Sequence, residues 1–297
     1  MMRKPKIAVV GSSSMDLLVT SERRPLAGET VLGDSFQTVP GGKGANQAVA
    51  AAKLGAEVYM IGCVGDDPYG DEILANFNAH GVHTDYVEPV THAKSGTAHI
   101  ILAEGDNSIV VVKGANDAVT PAYVNGARDI LRESDLVLIQ QELPEETVIE
   151  TARLCGELNV PLLLNPAPAR EIPDTLLEQV TYITPNEHEA ALMFPGQDLS
   201  DVLRRYSTKL FITEGAEGVR YFNGEQEVQV PSFLVDVVDT TGAGDTFNAA
   251  FGTAMAEGQT FVESLRFANR AASLSVQGLG AQGGMPTREE VEKGLME

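Results

Sequence analysis

The sequence predicts an α/β fold: a mostly parallel central sheet covered by helices on both faces, with a small second sheet projecting from it. Two observations predict the body and a third the projection. Runs such as Ile7–Val10 and Leu136–Ile139 are apolar throughout, without the alternation of a half-exposed strand, as in strands buried on both faces. These runs take turns with helical segments along the chain, as crossovers between parallel strands require. Leu17–Val39 and Gly96–Lys113 break that rhythm, with strand patterns and little helix.

The elements follow in order. Ile7–Val10 is the first strand. Arg3, Lys4 and Lys6 ahead of it imitate the charged start of a secretion signal, but Gly11, three serines and Asp16 cut the apolar run short. Gly44–Leu54 is Ala-rich and helical, ended by Gly55. Val58–Ile61 is a strand, and Tyr69–Ala79 a helix closed by Gly81. Thr97–Leu102 and Ser108–Val112 pair across Ala103–Asn107, a turn built on Glu104-Gly105-Asp106. Leu136–Ile139, Glu145–Leu158 and Pro161–Leu164 read as strand, helix and strand, and Tyr182–Ile183 as a further strand. Gly218–Phe222 and Val228–Val230 flank the turn Asn223-Gly224. Phe233–Val238 reads as a strand leading into a helix that runs to about Glu257; beyond it the chain is almost all helix. No repeat or linker divides the 297 residues, so a single domain over 1–297 is expected. The projecting sheet is expected from about 14–40 and 94–115, and to be antiparallel. It is either a surface excursion or a lid over a cleft; imperfect alternation, implying two covered faces, favours the lid.

Composition narrows the function. Acidic residues number 42 against 21 basic, a net charge of −21 that repels nucleic acid and anionic membranes. An anionic substrate must then be handled locally, by helix N-termini, metal ions or a few placed cations. Cys63 and Cys155 are far apart and suggest no disulfide framework. With no apolar run of membrane-spanning length, a cytoplasmic protein is expected.

Four segments carry chemistry. Asp239-Thr240-Thr241-Gly242-Ala243-Gly244-Asp245 opens a helix, and its small residues let N–H groups face outward as an anion hole for a transferring phosphoryl group. Asp245 is placed to take a proton from an attacking hydroxyl. Alternatively it is a helix cap, but a cap needs only one of the two aspartates. Gly41-Gly42-Lys43-Gly44-Ala45-Asn46-Gln47 also opens a helix; it has neither the spacing nor the Ser/Thr of a Walker A loop. It is either a glycine turn or a close backbone approach to a polyhydroxy ligand, with free N–H groups and with Lys43 and Asn46 as donors. Asn186 and Glu189, three apart, either hold water around Mg²⁺ or simply start a helix. Gly278–Gly283 spells a dinucleotide fingerprint but follows a helix, and Met285-Pro286 blocks the helix that should come after it. Such a loop exposes carbonyl oxygens suited to a monovalent cation. His188 is a bystander, and the other histidines show no supporting ligands.

Together these segments resemble the ribokinase family of carbohydrate kinases, the phosphofructokinase B-type group, from Ile7 to about Pro286 and in the family's order. Gly41–Gln47 is similar to the N-terminal signature and Asp239–Phe247 to the C-terminal one. Asn165-Pro166-Ala167-Pro168-Ala169-Arg170 and Thr184-Pro185-Asn186-Glu187 resemble the ribokinase branch in particular. The resemblance implies a Rossmann-like three-layer sandwich with a β lid, and transfer of the γ-phosphoryl of ATP to O5 of D-ribose. It makes Asp245 the base and Gly242, Ala243 and Gly244 the anion hole. It puts Asp16, Gly42, Lys43, Asn46 and Glu142 at the sugar, with Ser14 where many members have Asn. It puts Asn186, Thr213, Gly215, Gly218, Gly244 and Asn269 around the nucleotide and Glu189 near Mg²⁺. Asp239, Thr241, Ser275, Gly278, Gly280 and Gly284 fall at its potassium site, K⁺ being an activating cation. A homodimer through the lids is also implied. The alternatives are a kinase for another small sugar or nucleoside, such as fructose, deoxyribose or a keto-deoxy sugar acid, and a sugar-binding regulator that has lost catalysis. The intact base and anion hole argue against the regulator.

Overall fold

The computed structural model describes residues 3–296. In chain order its strands are β1 (Lys6–Val10), β2 (Ser14–Thr20), β3 (Ser35–Gly41), β4 (Glu57–Gly65), β5 (His83–Val90), β6 (Gly96–Ala103), β7 (Asp106–Val112), β8 (Leu136–Ile139), β9 (Leu162–Leu164), β10 (Tyr182–Ile183), β11 (Phe211–Thr213), β12 (Val219–Phe222) and β13 (Glu227–Val230). Six of them form a wholly parallel sheet in the order β10-β9-β8-β1-β4-β5. Their apolar runs serve two cores, because successive side chains point to opposite faces. Ile7 and Val9 of β1 and Leu136 and Leu138 of β8 pack with helices Lys43–Lys53, Ala243–Ala256 and Phe261–Ser275. Ala8, Val10, Val137 and Ile139 pack on the other side with helices Glu145–Leu158 and Leu199–Arg205.

The connections place the site. From β1 the chain moves one way, to β4 and β5, then returns to the other side of β1 for β8, β9 and β10. The strand order therefore reverses between β1 and β8, and the crevice at the carboxyl ends of such a pair is where open α/β sheets bind ligands. Antiparallel β11-β12-β13 continues the body through parallel bridges Ile183↔Leu210 and Asn186↔Thr213.

The projecting sheet has the order β3-β2-β6-β7. Its outer pairings are antiparallel, but β2 and β6 run parallel, which corrects the expectation of an all-antiparallel sheet. Two strand pairs leave the body side by side, and their outgoing arms lie together in the middle. A second correction concerns Phe233–Val238, which is irregular. Among the described residues its backbone N–H groups find a backbone partner only at the end, where Val238 and the following Asp239 donate to the carbonyl of Val276 (2.8 and 3.1 Å), and Leu234 is 95% exposed.

Candidate active site

The helix Lys43–Lys53 begins directly over the end of β1. Its N-cap, Gly42, has φ 92° and no capping side chain. A Cβ on Gly44 would lie 2.5 Å from the Ser12 nitrogen, so only glycine permits this contact. The first-turn N–H groups are not free, contrary to the sequence expectation. Lys43 N–H donates to Glu142 Oε2 (3.0 Å) and Ala45 N–H to the Ser12 carbonyl (2.9 Å), while the Ser12 hydroxyl donates to the same Glu142 oxygen. Glu142 thus sits as a counter-charge at this positive helix end.

Beside it lies a cleft of about 440 Å³. All the residues expected at the sugar line it: Ser14, Asp16, Gly42, Lys43, Asn46, Glu142 and Asp245. Ala98, Ile100, Ile109 and Val111 of the projecting sheet wall it on one side. Asp16, Glu142 and Asp245 outnumber the ammonium groups of Lys43 and Lys113 at the rim of the cleft, a surplus of acceptors suited to a neutral ligand rich in hydroxyl donors. Burial pushes the Asp16 carboxyl up to about 6; the Ser14 hydroxyl, donating at 3.2 Å, opposes this, while the charges of Glu142 and Asp245 add to it. Burial alone would lower the Lys43 ammonium, but Asp245, Glu142 and Glu189 outweigh it and hold Lys43 above its usual value. A wider, shallower hollow of about 540 Å³ near Tyr182 and Lys209 contains none of these groups.

The second helix end at the cleft is that of Ala243–Ala256. Its N-cap Gly242 has φ 80° and no capping side chain. A Cβ there would lie 2.7 Å from Ala281 Cα, so the turn and the glycine-rich loop close on each other only through glycine. Ala243 N–H turns back to the Thr240 carbonyl (3.2 Å), and Thr246 N–H bonds the Gly242 carbonyl (2.8 Å). Between them lie Gly244 and Asp245, whose first-turn amides the helix itself leaves without acceptors. Asp245 is buried; its carboxylate accepts from Asn46 Nδ2 (2.9 Å) and Gln47 Nε2 (3.1 Å). Burial pushes its carboxyl above the ordinary range, against the pull of Lys43 and both amides. A hydroxyl bound in the cleft therefore meets a carboxylate acceptor beside an uncapped helix N-terminus.

Of the remaining expected residues Thr241 lines the same cleft, and the others lie outside it. Asn186 bridges Thr213, and Glu214 N–H bonds the Gly218 carbonyl across the turn that holds Gly215. Gly218 backs onto Val230–Ser232, and Asn269 Nδ2 holds the Val230 and Pro231 carbonyls (2.9 and 3.0 Å). Asn186 and Glu189 form a capping box, each side chain accepting the other's N–H at 2.8 Å, and His188 is exposed. Asp239 binds Thr241 through Oδ1 (N–H 2.9 Å, hydroxyl 2.7 Å) and Gly280 N–H through Oδ2 (2.8 Å). Partial burial pushes its carboxyl up, but these bonds prevail and hold it below the usual range. Gly278 packs against Gly284, and Gly284 against the Ser275 carbonyl, so all six residues expected at a cation site lie on two adjoining segments.

Several contributors carried no strong sequence signal. Asn116 clamps Ser13 through Nδ2 to its carbonyl (2.8 Å) and Oδ1 from its N–H (2.9 Å). Gln140 and Gln141 follow β8 at the switch point, and that position was the available signal. Gln141 lines the cleft, with neither end of its buried amide partnered among the described residues.

With this geometry in hand, comparison with known proteins is direct. The model of the pfkB family of carbohydrate kinases matches residues 4–288. The chain belongs to the pfkB family. Among pfkB relatives, a ribokinase of Bacillus subtilis (strain 168) is 65% identical, over 97% of this chain and 98% of its own length. A deoxyribokinase of Salmonella typhi is 36% identical, over 97% and 98%. The solved structure of an Arabidopsis thaliana ribokinase complexed with ribose and ATP superposes with a TM-score of 0.90, at 37% identity and 98% coverage of both chains. The pfkB fold, a mostly parallel sheet with helices and a small second sheet, is thus common to both.

Proposed function

We propose that this chain transfers the γ-phosphoryl group of ATP to the O5 hydroxyl of D-ribose, yielding D-ribose 5-phosphate and ADP. The observation that carries this reading is the position of Asp245, at the junction of a carboxylate-rich cleft and an uncapped helix N-terminus. Similarity to ribokinases supports it. Asp16, Glu142, Lys43 and Asn46 hold the sugar through its hydroxyls. Asp245 accepts the O5 proton as the oxygen bonds to phosphorus, and the unpaired amides of Gly244 and Asp245 face the charge on the transferring group, the Ala243 N–H being held by the Thr240 carbonyl (3.2 Å). Because such transfer is loose, positioning and charge neutralisation do most of the catalysis. Asn186, Thr213, Gly215, Gly218 and Asn269 take the nucleotide.

Magnesium bound with ATP neutralises phosphate charge. Glu189 keeps Oε1 free of its capping box and lies within electrostatic reach of Lys43, which fits it to hold the ion's water. Potassium would be held between the adjoining 239–241 and 275–284 segments, which Asp239 ties together through Gly280 N–H, and would stiffen the loop ahead of Asp245. The projecting sheet acts as a lid that excludes water, and two copies dimerise through it. Cys63 and Cys155, buried and unpaired, accord with the cytoplasm.

The test is ATP turnover on D-ribose, 2-deoxy-D-ribose, D-fructose and a nucleoside, in K⁺, Na⁺ and a bulky organic cation. The expected result is the highest kcat/KM for ribose, and more in K⁺ than in Na⁺. Asp245→Asn is expected to keep ribose binding and to lower kcat by about 10²–10⁴. Near-normal turnover in that variant removes Asp245 as the base.

A further inference from the structure

Asp245 does not stand alone in the interior. Its two oxygens are each met by a side-chain amide, and each amide is met in turn by another. On one side, Asn46 Nδ2 donates to Oδ2 (2.9 Å), Gln282 Nε2 donates to Asn46 Oδ1 (3.0 Å), and Asn76 Nδ2 donates to Gln282 Oε1 (2.9 Å). On the other, Gln47 Nε2 donates to Oδ1 (3.1 Å), and Gln140 Nε2 donates to Gln47 Oε1 (2.7 Å). Asn46, Gln47, Gln140 and Gln282 are all at least nine-tenths buried; Asn76, at the outer end, is partly exposed.

The direction of every bond is the informative feature. An amide is nearly symmetric in shape but not in chemistry, because one end donates and the other accepts. Asn46 turned over would set its oxygen against Asp245 Oδ2, acceptor facing acceptor. Gln282 prevents this by claiming the Asn46 oxygen for its own N–H, and Asn76 fixes Gln282 in the same sense. Gln140 does the same for Gln47. We propose that these two chains are a polarised relay that holds Asp245 as a proton acceptor, with Gln282, Asn76 and Gln140 as its positioning residues.

None of the three lines the cleft. They act through Asn46 and Gln47, so the proposal rests on the reading of Asp245 as base. It also gives the glycine-rich loop a second connection to the chemistry. The loop reaches Asp239 through Gly280 N–H and reaches Asn46 through Gln282. A buried carboxylate without such donors takes up a proton and loses its capacity as a base.

The sharpest test is Asn76→Asp. Position 76 is partly exposed, so the new carboxylate stays charged near neutral pH, and it can only accept. Gln282 then turns its N–H outward, Asn46 follows, and an oxygen faces Asp245. The shape of every side chain is preserved. The measurement is kcat/KM for ribose against pH at saturating ATP, in low salt and in 0.5 M salt. The expected result is an acidic limb moved up by about one pH unit, close to a tenfold loss below the limb. Turnover recovers at high pH, the KM for ATP is unchanged, and the shift persists in high salt, where the through-space effect of the new charge is screened. Gln282→Met, which keeps the length but donates nothing, is expected to move the limb the same way. A profile that superimposes on the parent's, or a loss equal at every pH, overturns the relay. Asp245→Asn measured alongside separates the two readings: full activity there removes the base itself, whereas an inactive Asp245→Asn with an unshifted Asn76→Asp removes only the relay.

Discussion

Asp16 shows at one residue how binding and stability oppose each other. Its carboxyl is pushed up to about 6, chiefly by burial, with Ser14 the opposing hydrogen bond. The sign for stability follows from proton counting. Between the unfolded value near 4 and about 6 the native chain binds more protons than the unfolded one, so stability falls as pH rises through that window. Above it, the ionised Asp16 costs the ligand-free fold up to about 3 kcal/mol by this linkage. Asp16→Asn is therefore expected to melt above the parent at pH 7.5 and to lose that advantage by pH 4.5. Its KM for ribose should rise at least about tenfold, since a carboxylate accepting from sugar hydroxyls is gone. Equal melting temperatures at pH 7.5 would show that the ionised carboxylate carries no such cost. Asp16 and Ser14 were legible because they lie two apart at a strand end and share a side. The residues that orient the partners of Asp245, Gln140 behind Gln47 and Gln282 behind Asn46, were not, since amides far apart in sequence reveal no pairing until the chain is folded.

At the scale of elements, legibility followed burial. Strands β1 and β8 and the helix Glu145–Leu158 stand where their patterns place them, because both faces of those strands are covered. Phe233–Val238 has the apolar composition of a strand but, among the described residues, no strand pairs with it, so it runs as irregular and largely exposed chain. β5 (HTDYVEPV) gave little signal because an edge strand tolerates Pro89 and polar residues. The most exposed element is β7: Ile109, Val110, Val111 and Val112 are each at least half exposed on an edge strand of the projecting sheet. Such an edge invites a partner strand or an apolar face. Ile109, Val111 and, at the strand's end, Val112 line the cleft; Val110 does not, its side chain alternating to the face opposite Ile109 and Val111. Val110→Asp is expected to convert the proposed homodimer to a monomer in sedimentation at micromolar concentration, with the melting temperature of the body little changed. An unshifted sedimentation coefficient places the dimer contact elsewhere.

Across the whole molecule, the net charge of −21 sets a field that no local feature cancels at long range. The two proposed substrates meet it differently. Ribose is neutral and approaches without a barrier, whereas magnesium-bound ATP is an anion and is repelled until it reaches the N-terminus of the Ala243–Ala256 helix and the half-buried ammonium of Lys43. Those attractions are short-ranged and lie within the cleft, while the repulsion acts over a Debye length, about 10 Å at 0.1 M salt and three times that at 0.01 M. Salt should then weaken the repulsion more than the attraction. With K⁺ held fixed and ionic strength raised from about 0.02 to 0.2 M with tetramethylammonium chloride, kcat/KM for ATP is expected to rise a few-fold. The same titration should leave kcat/KM for ribose unchanged, which separates a field effect from a general effect of salt on the enzyme. A fall in kcat/KM for ATP would mean that local positive groups govern the approach of the nucleotide. The acidic surface would then have no part in setting its rate.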